Sequence, residues 1–135
     1  MTQGRFGRIA GHVMSGLVIA FMLLDGGMKL VPLDVVIKAT ADLGYPPSIA
    51  LARGIGVVGL LCTALYAFPR TAVLGAILLT AYMGGAVATH VRIGSPLFTH
   101  ILFGVYLGVL LWGGLFLRDA RVRALLPLVS PPDTR

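Results

Sequence analysis

Charged residues are scarce in this sequence, and acidic ones are scarcer still. Only 12% of the 135 residues are charged, whereas soluble domains typically contain roughly 25%. No glutamate occurs, so five aspartates carry all of the acidic side-chain chemistry. With 57% hydrophobic residues and a mean hydropathy of +0.92, a water-soluble fold would lack the polar side chains to cover its outside. The sequence therefore predicts an integral membrane protein.

Cysteine is also nearly absent, because Cys62 is the only one. A single cysteine excludes an intrachain disulfide and the two-cysteine redox motif of thioredoxin-like proteins. The net charge of +6 could suggest nucleic acid as a partner. The arginines, however, cluster at the ends of apolar segments, where they reach the headgroups and set the orientation in the membrane. We therefore predict no nucleic-acid partner.

Four apolar runs each have the length of one membrane crossing, which takes about 20 residues. They predict an all-α, antiparallel four-helix bundle in one domain, residues 1–126, followed by a disordered tail, residues 127–135. The long connection contains Asp34, Lys38 and Asp42 on one helical face and apolar residues on another, which predicts a short amphipathic helix over residues 33–43. The four runs cover residues 10–30, 48–68, 71–91 and 98–117.

Most of the 11 lysines and arginines lie on the side of the predicted bundle that holds both termini. Because cytoplasmic loops are enriched in these residues, both termini are predicted to be cytoplasmic. We predict interfacial positions at that end for His12 and Tyr66.

Ionisable residues converge at the opposite, outward end of the predicted bundle. A charged side chain deep in a bilayer costs at least about 2.5 kcal/mol, so such residues favour a functional interpretation. Asp25 and Lys29 are four residues apart and can pair on one helix face. Tyr82 lies on the same face as His90, one to two turns deeper. The predicted ligand-binding residues are Asp25, Lys29, Arg53, Tyr82, His90 and His100.

Two other interpretations of these residues compete with a ligand site. The charged residues could form a structural ion-pair network while the histidines bond to loop carbonyls. Two histidines and an aspartate could also ligate a metal, but the spacing of His90 and His100 matches no recognised motif, and we predict no metal.

Small residues on the last two crossings suggest helix association. Gly104 and Gly108 share one face, and Gly84 and Ala88 share another. Because small residues let helices approach closely in lipid, these faces predict self-association, or packing against a helix of the same chain.

Three stretches resemble the DoxX-like family of small four-helix bacterial membrane proteins over about residues 10–126. They are LLDGGMKL, LGYPPSIALARGIGVVGLLC and AYMGGAVATHVRIGSPLFTHILFGVYLGVLLWGGLFLRD. The resemblance implies a location in the bacterial inner membrane. It also implies a relation to DoxD-type small subunits of thiosulfate:quinone oxidoreductase and to oxidative-stress membrane complexes. It assigns no catalytic residue.

Two functions follow as hypotheses. The first is a polar pocket at the outward end that binds, or acts on, a lipid-soluble molecule such as a quinone, so that a quinone or lipid would be bound there. The second is a non-enzymatic subunit or scaffold for a redox or stress-response complex. A transporter is less favoured, because the cytoplasmic halves of the crossings lack polar residues for a path. The sequence leaves open whether the protein is an enzyme.

The predicted topology can be tested by cysteine labelling in cells. In a Cys62→Ala background, Thr2→Cys and Asp42→Cys variants are treated with a membrane-impermeant maleimide. We expect reaction at position 42 and protection at position 2, because the two positions lie on opposite sides of the membrane. Reaction at both positions would contradict the topology.

Overall fold

The computed structural model describes residues 4–31 and 34–125, which form helices joined by short connections and contain no strand. The elements are α1 (Arg5–Leu30), α2 (Asp34–Asp42), α3 (Ile49–Ala67), α4 (Ala72–Arg92), a π-helical turn (Leu97–Ile101), α5 (Phe103–Arg118) and α6 (Ala120–Leu125). The predicted tail, residues 127–135, lies outside the described residues.

Four helical segments are long and apolar enough to cross a membrane. They are α1, α3, α4 and the segment Leu97–Arg118, which comprises the π-helical turn and α5. Each coincides with one of the four apolar runs to within a few residues, so the predicted four-helix membrane bundle is confirmed. The chain is therefore a multi-pass membrane protein.

The four crossings pack side by side in an antiparallel ring. α1 lies between α3 and α5, and α4 closes the ring by packing against α3 and α5. We call the end that carries α2 the α2 end, and the end that carries α6 and the turn between α3 and α4 the α6 end. The core of the ring consists of buried residues from every crossing: Val18, Met22, Cys62, Tyr66, Ala72, Ala76, Leu79, Met83, Leu107, Leu111 and Leu115.

Glycines allow the helices to approach each other at all four interfaces of the ring. In lipid, helices associate mainly through van der Waals packing and hydrogen bonds, so close approach requires small residues. A Cβ atom added at these glycines would collide with a neighbouring helix. A Cβ at Gly11 would lie 2.9 Å from the Gly114 oxygen, and one at Gly56 would lie 3.0 Å from the Gly26 oxygen. A Cβ at Gly75 would lie 2.2 Å from the Tyr66 nitrogen, and one at Gly104 would lie 2.7 Å from Val87 Cγ2.

The small-residue faces predicted for association differ in their surroundings. Gly104 packs against α4 of the same chain, through Val87 and Met83. A Cβ at Gly84 or Gly108 would meet nothing within 4 Å, and Ala88 is exposed. The Gly104 position thus serves packing within the chain, while the Gly84/Ala88 face is open.

Tyr66 is fully buried at the α6 end, next to the last residue of α3, so it points into the bundle; its interfacial depth stays a prediction. Its hydroxyl donates to the Leu111 carbonyl oxygen at 2.8 Å, and the Ser15 hydroxyl, 2.9 Å away, donates to the Tyr66 oxygen. Burial of a tyrosine hydroxyl requires such partners. Because they come from α1 and α5, this network joins three helices.

The predicted amphipathic helix is confirmed over Asp34–Asp42; Leu33, its predicted first residue, lies outside the described residues. Its C-terminal side is held to α4. The Leu43 carbonyl oxygen accepts a hydrogen bond from Arg92 Nη2 at 2.9 Å, and the Tyr45 and Thr89 hydroxyls are 3.1 Å apart. Gly44, with φ +86°, makes the turn in a conformation that favours glycine. α2 is therefore attached to the end of the bundle.

The role of Gly75 gives a test of the packing. Gly75→Ala places a methyl group against the α3 backbone. Overpacking of this kind costs about 1–3 kcal/mol, more than the roughly 1 kcal/mol that alanine gains over glycine in a helix. We expect a lower melting temperature in detergent, measured by circular dichroism.

Gly84→Ala on the same helix is the matched control, because its methyl group meets nothing within 4 Å. It should melt at or above the temperature of the unmodified protein. Equal melting temperatures for the two variants would contradict the packing argument.

Candidate functional site

The α2 end contains an ion pair between Asp25 and Lys29 on the last turns of α1. Their separation of four residues brings the side chains together on one helix face, as predicted. The exposed fractions are 26% for the Asp25 side chain and 23% for that of Lys29. Both side chains are therefore partly buried. They lie one turn of α1 beyond Met22, a core residue. The predicted pairing is confirmed, and its role in ligand binding stays a prediction.

Tyr82 is half-buried in α4 and lies against α3 and α1. A Cβ added at Gly59 would be 3.2 Å from the Tyr82 hydroxyl oxygen and 3.5 Å from Met22 Cε, so the absence of a side chain at Gly59 makes room for the phenol. Lys29, the partner of Asp25, packs against α3 at Gly56, one turn from Gly59. Within residues 4–31 and 34–125, no side chain or carbonyl accepts a hydrogen bond from the Tyr82 hydroxyl.

His90 and His100 meet edge to face at the same end, with ring centroids 5.6 Å apart and planes at 61°. The Nδ1 atom of His90 lies 2.9 Å from the Ser95 hydroxyl, and that of His100 lies 2.7 Å from the Thr99 hydroxyl. Both rings are thus oriented by a neighbouring hydroxyl, which leaves Nε2 for another partner. In the described part of the chain, no three or more His, Cys, Asp or Glu residues are grouped as metal ligands.

The π-helical turn places His100 next to His90. The Ile101 amide donates to the Pro96 carbonyl oxygen at 3.2 Å, and the Leu102 amide donates to the Leu97 oxygen at 2.9 Å. These five-residue spacings widen the first turn of the last crossing, and such turns occur frequently at functional sites. His100 is nevertheless exposed. The prediction that both histidines face the bundle interior is therefore wrong for His100, while His90 is half-buried.

Arg53 does not balance the charge of Asp25. Its side chain is exposed, and its Nε donates to the Leu30 carbonyl oxygen at 3.2 Å. Leu30 is the last residue of α1, where carbonyl oxygens lack helical partners and attract a cation. In the structure Arg53 thus caps α1, since it is long enough to reach this carbonyl from α3.

A long segment at the α2 end contributes nothing to the core. From residue 84 to residue 106 no residue is buried, although this stretch includes half of α4 and the start of α5. The core instead ends at Met83 and resumes at Leu107. Both histidines lie in this segment. In α4 and the last crossing, the buried core therefore does not extend to the α2 end.

The DoxX-like family model matches residues 13–114, which is more than half of the chain. The chain belongs to the DoxX-like family. No curated protein and no solved structure is significantly similar to it.

All six residues predicted to bind a ligand fall within the DoxX-like match, whereas His12, Arg118 and α6 fall outside it. Within the matched region the structure forms two groups. In the first group, Lys29 pairs with Asp25 and packs on α3 one turn from the point where Tyr82 packs. In the second group, which is nearer the α2 end, His90 contacts His100. Tyr66 and Ser15, which form a buried polar network, were not predicted as partners. A serine in an otherwise apolar run was the available signal, but its partner is 51 residues away.

The contribution of the Asp25–Lys29 pair can be measured by thermal unfolding in detergent. Removing one partner of an exposed pair costs about 0–1 kcal/mol, and removing one partner of a buried pair costs about 3–5 kcal/mol. Because this pair is partly buried, Asp25→Ala should lower the free energy of unfolding by an intermediate amount. Adding Lys29→Met should recover part of this loss, because no ammonium group is then left unpaired. Asp42→Ala, an exposed aspartate at the same end, is the control. An Asp25→Ala protein as stable as this control would contradict the expectation.

Proposed function

We propose that this chain binds an amphipathic, lipid-soluble molecule such as a quinone at the α2 end. The observation that carries the proposal is the Tyr82 hydroxyl, a half-buried donor without an acceptor among the described residues. A polar group left without a hydrogen bond in an apolar environment costs about 1–3 kcal/mol. A ligand carbonyl that accepts from Tyr82 would remove this cost.

The surroundings of Tyr82 suit a quinone headgroup. The ring contacts the apolar core at Met22, which would face the carbon ring of the ligand. Lys29 is a second donor near the same position, held by Asp25. Most small-molecule sites have this composition, with apolar walls and few polar groups.

His90 and His100 would act at the mouth of such a site rather than at the headgroup bound by Tyr82. Eight residues of α4 separate Tyr82 from His90, which is about 12 Å along a helix. One small headgroup therefore does not reach both positions. Imidazoles at the water-facing end would instead exchange protons between the site and solvent, because histidine titrates near neutral pH.

The segment 84–106 supports entry of a ligand from the lipid. It has no fully buried residue, so a molecule entering between α4 and the last crossing would separate the contact of Gly104 with Val87 but displace no core side chain. A ligand dissolved in the bilayer could then reach Tyr82 sideways, without crossing the headgroup region.

The location that we propose is the bacterial inner membrane, with both termini in the cytoplasm. The arginines support it, because the α6 end carries Arg5, Arg8, Arg70, Arg118, Arg121 and Arg123. Such an excess is typical of the cytoplasmic side. The α2 end would then face outward.

A second candidate function is that of a membrane subunit in a redox or stress-response complex. It is favoured by the exposed small residues Gly84, Gly85 and Ala88 on α4, which no helix of this chain covers. Another helix, from a second copy or from a partner subunit, could pack there. If the ligand is a quinone, such a partner would supply the electrons for its reduction.

Native mass spectrometry of the purified protein with decylubiquinone tests the binding proposal. Tyr82→Phe removes the hydroxyl and keeps the ring, so affinity should fall roughly 2- to 10-fold, the equivalent of one neutral hydrogen bond. Tyr106→Phe, the same change at an exposed tyrosine on α5, is the matched control.

Equal binding by the two variants, or no binding by the unmodified protein, would count against the site. The same spectra report how many chains associate. A dimer that is lost in Gly84→Leu, without any bound decylubiquinone, would favour the second candidate function.

A further inference from the structure

A cleft opens at the α6 end, where it is lined by Ala72, ten residues of α4 or about 15 Å along the helix from Tyr82. Its volume is about 330 Å³, within the range of about 300–1,000 Å³ of small-molecule sites. The start of α1 contributes His12, the turn between α3 and α4 contributes Pro69, and the end of α5 contributes Arg118. The cleft thus lies where three crossings end, at the boundary between lipid and water.

Arg118 lines this cleft and has N–H groups that lack an acceptor. Its Nε atom is buried and has no acceptor among the described residues. Its Nη2 atom reaches the Tyr66 carbonyl oxygen only at 3.4 Å, beyond the usual range of about 2.7–3.2 Å. An arginine carries five N–H donors in a planar fork. Nη1 has no acceptor among the described residues, so its N–H groups are available to a ligand.

One side of the Arg118 guanidinium group packs against an aromatic ring. It lies 5.2 Å from the centroid of the Tyr66 ring, a cation–π contact. The ring itself is fixed by Ser15 and Leu111 through the buried hydroxyl network. Because one side of the guanidinium is covered by the ring, an anion would be bound at its edge, where the N–H groups point.

Asp119, which is the one acidic residue among the described residues that line the cleft, is already paired with Arg121. One Asp119 oxygen accepts from the Arg121 backbone amide at 2.9 Å and from Nε at 3.1 Å, and the other accepts from Nη2 at 2.9 Å. The hydrogen bond from the Arg121 side chain holds the pKa of the Asp119 carboxyl below its usual range, so it remains ionised at neutral pH. This pair has no net charge. The Asp119 carboxylate also interacts with Arg118, so the three residues together keep one positive charge.

We propose that the cleft at the α6 end is a binding site for a phosphate group, with Arg118 as its principal ligand. An arginine fork matches the oxygens of a phosphate. The neighbouring Arg8 and Arg70 add positive potential without lining the cleft. A negatively charged phospholipid headgroup is one source of such a group, because Arg118 ends the last crossing at the level of the headgroups. A soluble phosphate is the other source.

The site is independent of the one proposed at the α2 end. His12, Arg118 and Arg121 lie outside residues 13–114, the region matched by the family model. Failure of either proposal therefore leaves the other unaffected.

Native mass spectrometry of the full chain, released from detergent, measures binding in three parallel titrations. They use phosphatidylglycerol, which carries a net negative charge, phosphatidylcholine, which carries none, and inorganic phosphate. Arg118→Gln should weaken phosphate-group binding roughly tenfold or more, because it removes charge-assisted hydrogen bonds. Arg70→Gln makes the same charge change at the same end outside the cleft, and should weaken binding less than threefold if only long-range attraction is lost.

Ala120→Glu provides a second test, which does not depend on how well Arg118→Gln folds. Ala120 is exposed and lines the cleft, so a carboxylate there should repel the ligand while the helices remain intact by circular dichroism. Preference for phosphatidylglycerol over phosphatidylcholine, lost in both cleft variants, would support a lipid source. Binding of inorganic phosphate with the same losses would support a soluble one. Equal binding of both lipids with no effect of inorganic phosphate, or equal effects of Arg118→Gln and Arg70→Gln, would overturn the proposal.

Discussion

The structure depends on how closely four helices can approach in a medium that does not drive them together. Lipid tails are as apolar as leucine side chains, so packing contacts must supply the attraction. Glycines make those contacts possible at every interface of the ring. The same contacts position the polar groups. Gly26 and Gly56 bring α1 against α3 just below the Asp25–Lys29 pair, and Gly59 leaves the space in which the Tyr82 phenol lies. A larger residue at Gly59 would displace that ring.

The two ends of the bundle handle charge in opposite ways. At the α2 end, Lys29 pairs with Asp25, while Arg53 and Arg92 each donate to a carbonyl oxygen at the end of a helix. Among the described residues of this end, three aspartates stand against four lysines and arginines, so the charge is nearly balanced. In the described part of the α6 end, Asp119 is the one aspartate among several arginines, and its pairing with Arg121 leaves the other arginines in excess. Compensation leaves neutral hydrogen-bonding groups, such as phenol and imidazole, for a ligand. An uncompensated arginine instead attracts an anion.

Hydropathy and spacing were sufficient to predict the crossings and α2, because both patterns are local. The Asp25–Lys29 pair was predictable for the same reason, since four residues on one helix fix the distance. The partners of Arg53 and Tyr66 were not predictable in this way. Arg53 donates to a carbonyl oxygen on another helix. Tyr66 bonds to a serine on one other helix and to a carbonyl oxygen on a second. The exposure of His100 depends on the π-helical turn. This turn has one extra residue, and the pattern of apolar residues does not reveal it.

The core stops short of the α2 end, and this has a consequence for how stability is distributed along the bundle. Residues 84–106 make backbone hydrogen bonds and packing contacts such as that of Gly104 with Val87, but none of them is fully buried, so separating this part of the α4–α5 hairpin exposes less packed surface than separating the rest. Local opening free energies follow the density of buried contacts. Amide hydrogens of residues 84–106 should therefore exchange through partial opening, while those around Tyr66 exchange only when the whole bundle unfolds. The hairpin thus combines a half with buried contacts and a half with fewer of them.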